Sequence, residues 1–197
     1  MEIAKPNSTL LNNYIRIYDN VLSEEVLNNF IKICKNQSVF EDGQIIGLDK
    51  EIVNKQIRDT KIWHLGNINE ESLTTVHWCN YYGFIFNKYF RRYFTELNIN
   101  DPFRLSTIQV LKYTKGGHYQ FHVDHALSIP RTLSGIFLVN DDYEGGSLMF
   151  RTPIGDHTLE IEKIKNRIIV WPSNFLFPHA VQPVVSGERY SIVSWAL

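Results

Sequence analysis

The strongest constraint on the fold is the change of pattern that follows Asp101-Pro102. Eight short segments with the composition of β-strands come after it, from FRLSTIQVLKYT at 103–114 to RYSIVSW at 189–195, and turns rich in Gly, Pro, Asn and Asp separate them. Many short strands of this kind are typical of two sheets packed face to face. The pattern predicts a mainly β protein, a double-sheet jelly roll with supporting helices on one side.

The residues before this change have the periodicity of helices. Ser23 is a candidate N-cap, and apolar residues then recur at i, i+3, i+4 and i+7, which predicts a helix over about 24–36. A second helix is predicted over about 70–97, with its aromatic side against the core. Between them, NKQIRDTKIWHL at 54–65 is predicted to form a strand.

Length and composition favour one globular domain in the cytoplasm. The 197 residues are predicted to form a single domain over 1–197, with a helical support region at 1–100 and a jelly-roll catalytic core at 101–197. The net charge of −1 provides no positive field, so we expect neither a nucleic-acid partner nor a membrane surface. No signal peptide or membrane-length apolar run is visible, and the two cysteines are expected to be reduced.

The stretch GGHYQFHVDH at 116–125 holds three of the seven histidines. Within it, His122 and Asp124 are separated by one position, and on a β-strand both side chains would project to the same side of the sheet. Such a pair can be half of a metal site, although alone it is a weak signal.

A second polar cluster occurs near the end of the chain. His179 begins one predicted strand and Arg189 begins the next, in which alternate residues as far as Trp195 share one face. A three-residue loop before Arg189 would place Val185 opposite Arg189, and His179 opposite Trp195. All four side chains would then face one interior.

Together the two clusters suggest a specific chemistry. Two imidazoles and one carboxylate on one side of a metal leave adjacent positions open, as in the facial triad of non-haem Fe(II) oxygenases. A zinc hydrolase could use the same ligands, but it would not need a buried arginine. The planar fork of Arg189 suits a carboxylate, and Ser191 can add a hydroxyl group. The residues therefore indicate Fe(II) and a dicarboxylic cosubstrate.

Four motifs occur in order within residues 105–197, namely YTKGGHYQFHVD, IFLVNDDYEGGSLMF, NRIIVWPSNFLFPHAVQPV and ERYSIVSW. They resemble the motifs of the Fe(II)/2-oxoglutarate dioxygenases, specifically those of the prolyl 4-hydroxylase-like branch. The resemblance implies a double-stranded β-helix (jelly-roll) core after an α-helical N-terminal portion. It also implies Fe(II), 2-oxoglutarate and O₂, with ascorbate as an optional reductant.

The resemblance implies roles for individual residues. It assigns the metal to the three ligands His122, Asp124 and His179. It assigns the distal carboxylate of 2-oxoglutarate to Arg189, with help from Ser191, and places Tyr113 beside the cosubstrate. One position departs from the family pattern, because related enzymes carry a tyrosine that helps the arginine where this chain has Leu138. Ser191 is expected to replace that tyrosine.

The tail of the chain is most similar to the hypoxia-sensing prolyl hydroxylases and their bacterial relatives. This similarity implies that Tyr119, Arg131 and Trp195 contact the target proline. Tyr119 lies three residues before the first metal ligand, so a bend or bulge has to turn it inward. His118 and His125 flank the motif and are expected to lie outside the set of metal ligands.

The function implied is hydroxylation of a prolyl residue in a peptide or protein, with conversion of 2-oxoglutarate to succinate and CO₂. Alternatives are hydroxylation of a free amino acid or another protein side chain, oxidative demethylation of nucleic acid, and a non-catalytic jelly-roll binding module. The demethylases usually carry a second arginine at the position of Trp195, and a binding module would not need to keep all three ligands. We expect specificity to depend on residues 38–60 and 140–146 around the mouth, and Gly145-Gly146 to form a hairpin turn.

Overall fold

The computed structural model describes residues 12–46, 51–66, 72–151 and 158–197. These segments form two helices and two main antiparallel sheets whose inner faces pack against each other, as predicted for a jelly roll. No helix within the described segments is both long and apolar enough to cross a membrane.

The described segments contain sixteen strands, most of them short. In chain order they are β1 (Arg16–Tyr18), β2 (Glu41–Asp42), β3 (Ile45–Ile46), β4 (Glu51–Ile52), β5 (Arg58–Asp59), β6 (Lys61–Leu65), β7 (Ile108–Tyr113), β8 (His118–His122), β9 (Leu133–Leu138), β10 (Glu144–Gly145), β11 (Leu148–Arg151), β12 (Thr158–Ile161), β13 (Arg167–Pro172), β14 (His179–Val181), β15 (Val184–Ser186) and β16 (Arg189–Ala196).

These strands divide between a larger and a smaller sheet. The larger sheet has seven strands in the order β1-β13-β9-β16-β7-β6-β2, and the smaller has five in the order β12-β11-β14-β8-β5. Two further pairs, β3 with β4 and β10 with β15, lie outside both sheets. Apolar residues from both inner faces, among them Ile136, Leu148 and Val181, form one buried cluster between the sheets.

Two helices cover the outer face of the larger sheet. Helix α1 (Glu24–Asn36) begins at Ser23, whose side chain accepts a hydrogen bond from the backbone N–H of Val26, so the predicted cap and bounds are confirmed. Helix α2 (Leu73–Glu96) buries its aromatic side, as predicted. It approaches the sheet closely at Gly135, where a Cβ atom would lie 2.7 Å from a ring carbon of Phe90. A glycine is required at this contact.

The N-terminal region is less helical than predicted. Strands β1, β2 and β6 belong to the larger sheet and β5 belongs to the smaller one. The segment 54–65, predicted as a single strand, is divided at Thr60 into β5 and β6, which lie in different sheets. The helices therefore support a sheet that the N-terminal region itself helps to build.

The predicted pairing of the last strands is wrong. His179 pairs with His122 across β14 and β8, whereas Trp195 pairs with Ser134 across β16 and β9. Val185 is 58% exposed rather than interior, because β15 leaves the smaller sheet and pairs with β10. The physical reason is Pro183, which cannot donate a ladder hydrogen bond and interrupts the strand.

Gly145-Gly146 also differs from the prediction. Gly145 ends β10, which pairs with β15, whereas the next strand, β11, belongs to the smaller sheet, so the two glycines do not close a hairpin between β10 and β11. Both residues have positive φ, 69° and 63°, a conformation that favours glycine. A Cβ atom at Gly146 would lie 3.0 Å from Cδ of Arg189, so the glycine allows the chain to pass close to that side chain.

Candidate active site

The two predicted histidine ligands and the aspartate come together between the sheets. His122 ends β8, Asp124 follows two residues later, and His179 begins β14 directly opposite His122. One potential ligand atom from each of the three lies within 4.8 Å of the others. Nε2 of His122 is 3.6 Å from Oδ1 of Asp124, and Nε2 of His179 is 3.4 Å from Oδ2. This separation leaves room for an ion between them, and the nitrogen and oxygen donors fit Fe(II).

The surroundings favour the metal-binding form of each group. Nδ1 of His122 lies 2.8 Å from the Gln120 carbonyl oxygen and Nδ1 of His179 lies 3.1 Å from that of Phe177, so Nδ1–H can donate there and leave Nε2 free. Burial, together with the nearby His179, lowers the pKa of His122 to about 3. Burial raises the pKa of Asp124, but His179 and His122 outweigh it and the pKa falls to about 2. His122 is therefore neutral and Asp124 ionised near neutral pH.

The triad opens into a cavity of about 240 Å³ between the sheets. Residues of the larger sheet form an apolar wall that includes Leu111, Ile136 and Val193, and Tyr113 lies on the same face. Residues of the segment 38–60 border it as predicted, these being Glu41, Asp42, Gln44, Ile45 and Arg58. None of residues 140–146 borders it, and their role in specificity stays a prediction.

Arg189 is a buried cation next to this cavity. Its side chain is 1% exposed, and its Nη1 donates a hydrogen bond of 2.7 Å to Oγ of Ser191. Its Nε and Nη2 have no partner among the described residues. Arg189 does not line the cavity itself, but its guanidinium lies 5.1 Å from the ring centre of Tyr113, which does. Two buried, unpaired N–H groups suit a carboxylate, so the predicted cosubstrate fits the residues present.

The three residues predicted to contact a proline also border the cavity. The register between β14 and β8 shifts between Tyr119 and His122, and this irregularity turns Tyr119 inward, as the sequence required. The ring of Tyr119 stacks on His122 with 3.6 Å between centroids. On the other side, the guanidinium of Arg131 lies 3.7 Å from the ring centre of Trp195. The substrate roles of these residues remain predictions.

His118 and His125 lie outside the triad, as expected. The two ring nitrogens of His118 contact the carbonyl oxygens of Gly116 and Gln56 at 3.0 and 3.1 Å, and these hydrogen bonds raise its pKa. His125 contacts the carbonyl oxygen of Arg131. Neither borders the cavity.

Sequence reasoning missed two residues of the site. Ser134 donates a hydrogen bond of 2.6 Å to Oδ2 of Asp124, and the guanidinium of Arg58 lies 4.7 Å from the ring centre of Tyr119. Neither residue carries a local signal, since serine in a strand and arginine just after a turn are common. The strand alternation from Ser134 to Leu138 could have placed Ser134 on the inner face, but not beside Asp124.

Residues 108–197 match the family model described as the 2OG-Fe(II) oxygenase superfamily. A PKHD-type hydroxylase of Synechococcus sp. (strain CC9605) is 36% identical over 96 residues, which cover 47% of this chain and 42% of the relative. A PKHD-type hydroxylase of Cupriavidus metallidurans is 31% identical over 106 residues, covering 48% and 45%. The chain thus spans less than half the length of these curated relatives.

Solved structures share the fold across most of the chain. A prolyl hydroxylase from Trichoplax adhaerens, in complex with a hypoxia-inducible factor oxygen degradation domain peptide fragment, superposes with a TM-score of 0.78 at 22% identity, covering 96% of this chain and 86% of that one. A Pseudomonas putida prolyl-4-hydroxylase gives a TM-score of 0.69 at 19% identity, covering 92% and 91%. Residues 108–197 are thus similar to the 2OG-Fe(II) oxygenase superfamily, and the chain shares the fold of these two prolyl hydroxylases.

Proposed function

We propose that this protein is an Fe(II)- and 2-oxoglutarate-dependent dioxygenase that hydroxylates a prolyl residue in a peptide or protein. The main observation behind the proposal is that the triad borders a cavity and that a buried arginine lies next to the same cavity. The ligand atoms of His122, Asp124 and His179 lie within 4.8 Å, and Arg189 beside the cavity has two unpaired guanidinium nitrogens. A zinc hydrolase would explain the first feature but not the second.

Different residues of the site would have different roles in such a reaction. When bound, Fe(II) and 2-oxoglutarate supply an oxidation in which O₂ converts 2-oxoglutarate to succinate and CO₂ and places one oxygen atom on a substrate carbon. The triad would hold the metal, and three ligands on one side leave positions for the cosubstrate and O₂. Arg189 and Ser191 would bind the distal carboxylate, while the apolar wall of the cavity excludes water.

The prolyl substrate is supported by the cavity and by the relatives. Tyr119 and Trp195 both border the cavity that holds the triad, and the aromatic surface that Arg58 and Arg131 leave uncovered there suits an apolar ring. The curated relatives are called hydroxylases, and the Trichoplax adhaerens structure contains a peptide fragment. We infer a peptide or protein substrate on this basis, with no nucleic-acid partner, Fe(II) as the metal and ascorbate as an optional reductant.

A mass-spectrometric screen tests the proposal. Proline-containing protein fragments would be incubated with the full chain, Fe(II), 2-oxoglutarate, ascorbate and air, and searched for the gain of one oxygen atom on proline. Omission of 2-oxoglutarate and the Asp124→Ala variant should each abolish the gain. Oxidation of free amino acids or of other side chains, without any proline product, would overturn the prolyl assignment.

A further inference from the structure

A chain of two buried serines reaches the carboxylate of the metal ligand Asp124. Oγ of Ser134 lies 2.6 Å from Oδ2 of Asp124 and 2.8 Å from Oγ of Ser173. Both serines are 1% exposed. They lie on different strands or strand ends, 39 residues apart in sequence, so the contact is not a local turn.

The direction of these hydrogen bonds follows from the donors present. The ionised carboxylate of Asp124 can only accept, so the single hydroxyl proton of Ser134 is donated to it. The hydroxyl of Ser134 must then accept, and Ser173 is the donor in the second bond. A length of 2.6 Å is that of a charge-assisted O–H···O⁻ hydrogen bond, and a chain of such bonds strengthens each member.

The fold holds both hydroxyl groups in place. On the inner face of the larger sheet, Ser134 pairs with Trp171 on one side and with Trp195 on the other, so it is a small residue between two indoles. The backbone N–H of Ser173 donates to Thr132, and its carbonyl oxygen accepts from the N–H of His125. Strand pairing and these hydrogen bonds therefore fix the backbone from which each hydroxyl group projects.

The carboxylate is thereby fixed with unequal oxygen atoms. Oδ2 accepts the hydrogen bond of Ser134, whereas Oδ1 faces Nε2 of His122 at 3.6 Å and Nη1 of Arg131 at 3.9 Å, neither of them within hydrogen-bond distance. We propose that Ser134, held by Ser173, is a positioning residue that fixes the orientation of the Asp124 carboxylate and so presents one of its oxygens to the metal. The inference rests on the metal site of the proposed function but not on its substrate.

Binding of Mn(II), followed through the EPR signal of the free ion, tests this role without turnover. Loss of a group that orients a metal ligand typically costs about 10–100-fold in affinity, and Ser134→Ala should fall in this range. Ser134→Thr and Ser134→Val form a matched pair, since both add the same volume but only threonine keeps the hydroxyl group. We expect Ser134→Thr to bind Mn(II) at least about tenfold more tightly than Ser134→Val. Ser173→Ala should weaken binding less than Ser134→Ala.

Two further measurements separate positioning from general damage. Ser194→Ala is the control, because Ser194 is equally buried on the neighbouring strand and its Oγ has no partner among the described residues. It should bind Mn(II) as the wild type does. At saturating Mn(II), the thermal shift caused by 2-oxoglutarate should be the same in Ser134→Ala and wild type. Equal Mn(II) affinity in the threonine and valine variants would overturn the positioning role of Ser134. Absence of Mn(II) binding by the wild type would instead overturn the metal site of the proposed function.

Discussion

Replacing Arg189 with methionine should separate the stability of the protein from its binding of 2-oxoglutarate. Arg189 is 1% exposed, and two of its guanidinium nitrogens have no partner in the described part of the chain. A buried donor left unsatisfied costs about 1–3 kcal/mol, so two such donors together outweigh the roughly 1.5–3 kcal/mol that a hydrogen bond from a charged group, such as the one to Ser191, contributes. Methionine keeps most of the length and removes these penalties. The ligand-free variant should therefore unfold at the same temperature as the wild type or higher.

Addition of 2-oxoglutarate should reverse this order. A ligand present at 100 times its Kd stabilises the folded protein by about 2.7 kcal/mol, and 1 kcal/mol shifts the melting temperature of a chain of this size by about 2–4 °C. The wild type should therefore gain about 5–11 °C. Loss of the charged partner costs about 2–5 kcal/mol of binding, roughly 30-fold or more in affinity. At the same concentration Arg189→Met should gain less than about 4 °C.

The measurement is thermal unfolding with and without 2-oxoglutarate, in the presence of Mn(II) so that no turnover occurs. Arg151→Met is a matched control, since Arg151 is exposed and stacks on Phe121 outside the cavity. It should retain the full shift. A wild-type shift in Arg189→Met would mean that the carboxylate binds elsewhere. A ligand-free variant that melts several degrees below wild type would mean that Arg189 stabilises the core rather than a ligand.

Three other predictions follow from the site. His122→Ala and Asp124→Ala each remove a metal ligand, so each should weaken Mn(II) binding by more than the roughly 10–100-fold that follows loss of a residue hydrogen-bonded to a ligand. Binding within a few-fold of wild type would contradict the triad. Trp195→Ala should reduce hydroxylation of a proline peptide by about tenfold or more, which corresponds to about 1.4 kcal/mol of lost substrate interaction. Uncoupled decarboxylation of 2-oxoglutarate should fall much less. Equal losses of the two activities would mean that Trp195 is a packing residue. Finally, hydrogen bonds to two carbonyl oxygens raise the pKa of His118 in the folded protein. Protonated His118 therefore stabilises the fold. This contribution is complete below the unfolded-state pKa of about 6.5 and is lost as the pH rises through the pKa of the folded state. Denaturation of wild type and His118→Phe between about pH 5 and 8 should show a difference that shrinks with rising pH, and a constant or growing difference would refute this.

Local signals predicted the helices and the faces of the strands. Helix α1 has the predicted bounds because a cap and a 3.6-residue period act within a few residues of each other. In β16, alternation correctly placed Val193 and Trp195 on the inner face, and Arg189 lies against Tyr113 of the same face, since the side-chain period of a strand is two. The inward turn of Tyr119 was predicted from the need for a bulge.

Strand partners could not be predicted in the same way. The two-residue alternation of a strand shows which of its side chains share a face. It does not show which strand lies alongside, because strand pairing depends on the closure of long loops. His179 and Arg189 therefore face one interior, as predicted, from opposite sheets rather than from one hairpin. The contact of Ser134 with Asp124 was not predictable for the same reason, since it joins the larger sheet to the end of a strand in the smaller sheet.

The replacement of a family tyrosine by Ser191, opposite Leu138, stays a prediction, and hydrogen-bond capacity supports it. Leu138 is the direct cross-strand partner of Ser191, so a side chain at either position reaches the same part of the inner face. A serine hydroxyl donates one hydrogen bond and accepts two, and Oγ of Ser191 already accepts from Nη1 of Arg189. Its proton remains available for a carboxylate, beside the two unpaired nitrogens of Arg189. A carboxylate can accept all three, so the hydroxyl group that a tyrosine would bring to position 138 can come from Ser191, with Leu138 contributing only apolar surface.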